Sequence, residues 1–181
     1  SAMGFCVFNN IVIAARYALQ NYGLKRVAIV DFDVHHGNGT EQIVAGDQRI
    51  MLCSSFQHPF YPHSGSPVSA SNILSVPLDA GTTGEVFREK VQHWFDALRN
   101  FQPELILISA GFDAHAEDPM AHLRLVEDDY FWVSEQLRII ADECCKGRIV
   151  SMLEGGYDLS ALGRSVVAHL KGMSRPSSIT P

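Results

Sequence analysis

Asp31-Phe32-Asp33-Val34-His35-His36-Gly37-Asn38-Gly39 follows directly on the apolar run Arg26-Val27-Ala28-Ile29-Val30. A short run rich in β-branched residues predicts a strand over 26–32, buried on both faces as in parallel sheets. Its C-terminal end delivers two carboxylates and two imidazoles, and in open α/β sheets that end is where ligands bind. Asp33 and His35 lie two apart, so on an extended chain their side chains point to the same side. A carboxylate oxygen and a neutral imidazole nitrogen aimed at one point make half of a site for a divalent metal.

The same design recurs outward along the chain. Leu105–Ala110 reads as a second buried strand, ending in Gly111-Phe112-Asp113, and Ile149–Leu153 as another, ending in Glu154-Gly155-Gly156-Tyr157. Ile50–Cys53 is a shorter strand that runs into Ser54-Ser55. Apolar residues at helical spacing predict helices over 8–22, stopped by Gly23, and over 127–145 and 159–172. A further helix over 85–100 is predicted to open with a capping box, Thr82-x-x-Glu85, and to bury Phe87, Val91, Phe95 and Leu98. Residues 56–75 carry Pro59, Pro62, Gly65 and Pro67 and read as one long loop, the kind that carries function. Buried strands alternating with helices predict an α/β fold with a mainly parallel sheet covered on both faces. The domain is expected over residues 1–173, with 174–181 as a loose tail.

The totals narrow the classes. A chain of 181 residues is long enough for one sizeable core and short for two. A net charge of −6 argues against a nucleic-acid face. No apolar run approaches the roughly 18 residues of a membrane span, and no secretory leader opens the sequence. Cys6, Cys53, Cys144 and Cys145 form no C-x-x-C pair, which fits buried or partly buried free thiols in a reducing compartment, with cytoplasm as the expectation.

Asp33, His35 and Asp113 together give two carboxylates and one imidazole with room left for water and substrate, the pattern of an open, catalytic metal site. Such a metal polarises a carbonyl and activates water. The Tyr157 phenol, carried after two glycines, is placed to donate to a developing oxyanion. The competing reading makes these residues ordinary turn formers. Three ligand-type residues, each at a strand end, favour the metal.

Five segments carry a resemblance: Gly4-Phe5-Cys6-Val7-Phe8-Asn9-Asn10, residues 31–39, Phe60-Tyr61-Pro62-His63-Ser64-Gly65, Ser109-Ala110-Gly111-Phe112-Asp113 and Glu154-Gly155-Gly156-Tyr157-Asp158. In this order they resemble the histone deacetylase superfamily, above all its class II-like and bacterial amidohydrolase branch. The resemblance implies an arginase/deacetylase-like three-layer fold, with one active-site tunnel and a zinc ion at its floor. It makes Asp33, His35 and Asp113 the zinc ligands and Tyr157 the transition-state tyrosine. It makes Gly4, Phe5, Tyr61, Met120, Gly155 and Gly156 parts of the substrate tunnel. Asp31 matches an aspartate behind the metal. With backbone carbonyls near Asp33, His35 and Ser55 and the Ser54 hydroxyl, it also matches a structural potassium site. The implied substrate is an acetylated lysine side chain or a small acetylated amine, with protein substrates and other acyl amides left open.

The family's tandem histidines, its general base and electrostatic partner, lie just upstream of the Gly-Phe-Cys segment and have no counterpart after Ser1. Asp31 and Asn38 match the residues that orient them. The chain therefore reads as the C-terminal portion of a deacetylase domain, expected to be inactive or weak by itself. His36 is expected to point away from the metal. Asp113-Ala114-His115-Ala116-Glu117-Asp118 also resembles the ureohydrolase motif that binds two manganese ions, which would need His115 and Asp118 as ligands. A non-catalytic metal-binding or interaction module is the third reading. His58, His63, His93, His122 and His169 show no ligand spacing and are expected in loops or at the surface.

Overall fold

Val27–Asp31 is buried along its whole length, and the fold is built around it. The computed structural model describes residues 3–65 and 70–174. In chain order the elements are α1 (Asn10–Asn21), β1 (Val27–Asp31), α2 (Asn38–Val44), β2 (Ile50–Gln57), β3 (Ile73–Leu78) and α3 (Gly84–Val91), then α4 (His93–Phe101), β4 (Leu105–Ala110), α5 (Glu127–Cys144), β5 (Ile149–Leu153) and α6 (Leu159–Met173). The sheet runs β3-β2-β1-β4-β5 and is parallel throughout. Its register sets Asp31 between Ser54 of β2 and Ser109 of β4.

Alternation along β1 divides the core into two layers. Val27 and Ile29 pack with Ile11, Val12 and Ala15 of α1 on one face. Ala28 and Val30 pack with Phe87, Trp94, Phe95, Tyr130 and Leu137 of α3, α4 and α5 on the other. Helices thus cover both faces, the three-layer α/β arrangement expected from the sequence. α1 begins where the Asn9 side chain accepts the Val12 N–H at 3.1 Å. It stops before Gly23, whose φ of +65° suits glycine.

Four details differ from expectation. The loop expected over 56–75 loses both ends to strands: β2 continues to Gln57, and β3 starts at Ile73. β3 is an edge strand with Pro77 inside it, a residue tolerated only there. α2 is a seven-residue helix in the segment after the ligand motif, where Gly39 and Thr40 hide helical propensity. The helix expected over 85–100 is two helices, because Gln92 and Phe95 make i→i−3 bonds that tighten the turn between them. The capping box is also absent. Thr83 is the N-cap with no side-chain bond, and the Thr82 hydroxyl donates to the Asp79 carbonyl instead. Of the expected tail only Ser174, the C-cap of α6, lies within the described residues.

Candidate metal centre

Past the end of β1 the alternation continues, with Phe32 and Val34 entering the core and Asp33 and His35 facing a cleft. Backbone amides fix each carboxylate. Asp113 Oδ1 accepts the Val34 N–H at 3.0 Å, and Asp33 Oδ2 accepts the Gly155 N–H at 2.8 Å. The His35 ring Nδ1 lies 3.0 Å from Asp33 Oδ1 and 3.1 Å from Asp113 Oδ2. One ligand atom from each of the three residues falls within 4.8 Å of the others, the only such metal-holding group among the described residues. Gly155 is required for this closeness, since a Cβ there would overlap Asp113 Oδ2.

Two observations test the fit of a divalent cation. Asp113 is fully buried, and its Oδ2 faces the His35 ring at 3.1 Å with no well-aligned hydrogen bond, a costly state for a carboxylate unless a cation meets it. The electrostatics agree. Burial, then the charge of Asp33, push Asp113 up to about 6. Burial alone would lower His35, but hydrogen bonds and charge from Asp113 and Asp33 outweigh it and hold the ring at about 10. The site demands positive charge, and a metal binding these groups would displace the imidazole proton. Two carboxylate oxygens and an imidazole nitrogen form a zinc-type donor set.

Behind this centre, Asp31 is buried, and desolvation, then Asp33, raise its pKa well above the usual carboxylate range. Ser54, paired with it across β1 and β2, has a buried hydroxyl with no partner, and Ser55 is buried beside it.

Tyr157 sits at the cleft, 39% exposed. Burial, then the charges of Asp113 and Asp33, push its phenol up to about 12, so the group keeps its proton at neutral pH. The cleft measures about 1470 Å³ and is also lined by Gly4, Phe5, Asp31, Asn38, Tyr61, Met120 and Gly155. Most small-molecule pockets are smaller, roughly 300–1,000 Å³. Phe5 lines the cleft and is 90% exposed. The ring that stacks on His35 is Phe60, with centroids 5.6 Å apart, and Tyr61 meets the same imidazole edge-on at 6.1 Å. Gly156 is not among the lining residues; its φ of +142° makes it the bend of the Tyr157 loop. The Asn38 amide donates to Met3 Sδ.

His36 points away from the centre as expected: it is buried, with Nε2 2.9 Å from Glu41 and Nδ1 2.7 Å from Ser64. His115 and Asp118 do not form a second metal site. His115 Nδ1 accepts the Glu117 N–H and its other nitrogen faces Glu127. Asp118 is occupied by backbone amides. His169 is the histidine that departs from expectation. It is buried on α6, with Nδ1 2.6 Å from the Ser134 hydroxyl and Nε2 2.8 Å from that of Ser151. Sequence reading named Phe60 only within a resembling segment, without a role, and Asp118 only as a ligand of the alternative two-metal site. The four cysteines are free, with Cys6 exposed where burial was expected.

Comparison with known proteins agrees with this geometry. The family model for the histone deacetylase domain matches residues 1–173. A protein of Synechocystis, slr0245, is 45% identical over 175 residues, covering 94% of this chain and 56% of its own length. Histone deacetylase 10, chloroplastic, of Oryza sativa subsp. japonica is 44% identical, covering 91% of this chain and 39% of its own. Among solved structures, the HDA15 HD domain superposes with a TM-score of 0.86 at 34% identity, covering 95% of this chain and 51% of that one. The chain belongs to the histone deacetylase family, a family of hydrolases acting on acetylated substrates. It spans about half, or less, of the length of these relatives. No helix among the described residues is long and apolar enough to cross a membrane.

Proposed function

We propose that the chain supplies the zinc site and oxyanion donor of an amide hydrolase that removes acetyl groups from lysine side chains or small amines. The observation that carries this reading is the convergence of Asp33, His35 and Asp113 at a cleft that Tyr157, on the neighbouring loop, also lines. Zinc, when bound, polarises the acyl carbonyl and makes water more acidic. The chain's own groups do the rest. Tyr157 donates a hydrogen bond to the carbonyl oxygen as negative charge builds on it. Phe60, Tyr61 and Met120 offer apolar surface to the methylene chain of the substrate. Potassium is the cation we assign to Asp31, Ser54 and the carbonyls near Asp33, His35 and Ser55, supported by the orphaned Ser54 hydroxyl. The four free thiols support a reducing compartment, with cytoplasm the simplest one.

The general base belongs to the family's tandem-histidine segment, which residues 1–181 do not contain. His36 is no substitute, because both its ring nitrogens are engaged. A polypeptide of these residues should therefore hydrolyse more slowly than a protein that includes the segment, by roughly 10²–10⁴ for the base alone. Both should be zinc-loaded and compared on a fluorogenic acetyl-lysine amide, with a chelator control. Equal chelator-sensitive rates would assign the base to a group within residues 1–181. Tight zinc binding with no turnover in either protein would leave the non-catalytic reading.

A further inference from the structure

We propose that Asp118 is the positioning residue that sets the Tyr157 phenol against the metal centre, a proposal that rests on reading Tyr157 as the oxyanion donor. Asp118 lies five residues beyond Asp113, on the loop that follows β4, and is 5% exposed. Its Oδ2 accepts two backbone N–H groups, from Tyr157 at 2.7 Å and Asp158 at 3.1 Å. Its Oδ1 accepts a third, from Met120 at 2.9 Å. A buried carboxylate is costly unless hydrogen bonds or a cation satisfy it. Here amides alone do so, and bonds to an ionised acceptor are the stronger kind. One side chain thus ties the loop carrying the phenol to the loop carrying a cleft-lining methionine.

The Tyr157 loop needs such a tie. Gly155 and Gly156 give it little intrinsic preference, and Gly156 takes a φ of +142°. Before the glycine bend the path is fixed by Glu154 N–H to the Ala110 carbonyl, Phe112 N–H to the Gly155 carbonyl, and Gly155 N–H to Asp33. After the bend, the amides of Tyr157 and Asp158 both turn to Asp118. The acceptor is itself braced. Asp118 N–H bonds the His115 carbonyl, and across the loop the Leu125 carbonyl accepts the Ala116 N–H while Leu125 N–H donates to the Ala114 carbonyl. The loop that begins with Asp113 therefore fixes the height of the phenol by a short route, one carboxylate between two stretches of backbone. Geometry of this kind matters to rate, since a misplacement of about 1 Å costs about 10²-fold.

The test is a double-mutant cycle in the zinc-loaded protein as its gene encodes it, with amide hydrogen exchange as a readout independent of turnover. Asp118→Ala should lower kcat about 10²-fold with KM and zinc affinity little changed. Asp118→Ala combined with Tyr157→Phe should be no slower than Tyr157→Phe alone, because both remove the same interaction. Exchange at the Tyr157, Asp158 and Met120 amides should accelerate, while Phe112, bonded to Gly155, stays protected. Asp118→Asn keeps one carbonyl oxygen and should recover part of the rate; it carries the same cycle if the alanine variant does not fold. Additive losses in the cycle, or wild-type kcat and protection in Asp118→Ala, would overturn the proposal while leaving a slow Tyr157→Phe to uphold the oxyanion reading. A Tyr157→Phe enzyme with unchanged kcat would instead overturn that reading and this proposal with it.

Discussion

Asp113 is fully buried, with one oxygen on the Val34 amide and the other facing only the His35 ring at 3.1 Å. Asp113→Ala removes a ligand and a charge together. Losing a mere partner of a metal ligand costs about 10–100-fold in affinity, so losing the ligand should cost more than about 100-fold, read by competition with a chromophoric chelator. The rise in melting temperature on adding zinc should shrink in parallel, since ligand binding stabilises only the folded state. A variant within tenfold of the parent would remove Asp113 from the site. Asp113 was legible in the sequence as a candidate ligand because a residue type, a strand end and a side-chain direction coincided. The positioning role of Asp118 was not legible, because its partners are backbone amides 39 and 40 residues away, and no pattern in the chain marks those.

His169 joins three elements, reaching from α6 to Ser134 on α5 and Ser151 on β5. The Ser134 hydroxyl donates to the Tyr130 carbonyl, so it accepts from His169 Nδ1–H, and Ser151 donates to Nε2. The ring is thus held neutral, and burial pushes its pKa down to about 4. As pH falls through about 6.5 the unfolded chain takes up a proton that the folded one refuses until about 4. The stabilisation is complete above about 6.5 and is lost progressively between 6.5 and 4. At about 1.4 kcal/mol per pK unit it is worth on the order of 3 kcal/mol. Urea unfolding of the metal-free protein should show His169→Gln destabilised at pH 7 and nearer to the parent at pH 4; a gap independent of pH would contradict a neutral buried ring. Nothing in the sequence of α6 announced this, since a histidine on a helix face reads alike in water and in a core. The elements that were legible, among them α1, β1, β4, α5, β5 and α6, have continuous apolar runs or apolar residues at helical spacing. β3 and α2 did not, one holding Ser75 and Pro77, the other opening on Asn38 and Gly39.

The sheet has two edges of different character. β3 ends it on one side with Pro77 in the strand, whereas β5 ends it on the other with Val150 46% exposed and Leu153 more exposed still. Among the described residues nothing pairs with the outer edge of β5. α1 and α6 add exposed Ile13, Tyr17, Leu159, Val167 and Leu170. Unpaired strand edges and apolar surface of this kind recruit other chains. Residues 1–181 span only 51% of the HDA15 HD domain chain that they superpose on, so a polypeptide limited to them presents these groups to water. It should therefore self-associate, seen as a weight-average mass in sedimentation that rises with concentration. Val150→Lys places a charge on the open edge without touching the cleft, a device that natural edge strands use. It should weaken association at least several-fold and leave zinc affinity unchanged. A parent polypeptide that stays monomeric at high concentration would show that the edge is already blunted. Association unaffected by Val150→Lys would move the contact to the helical faces.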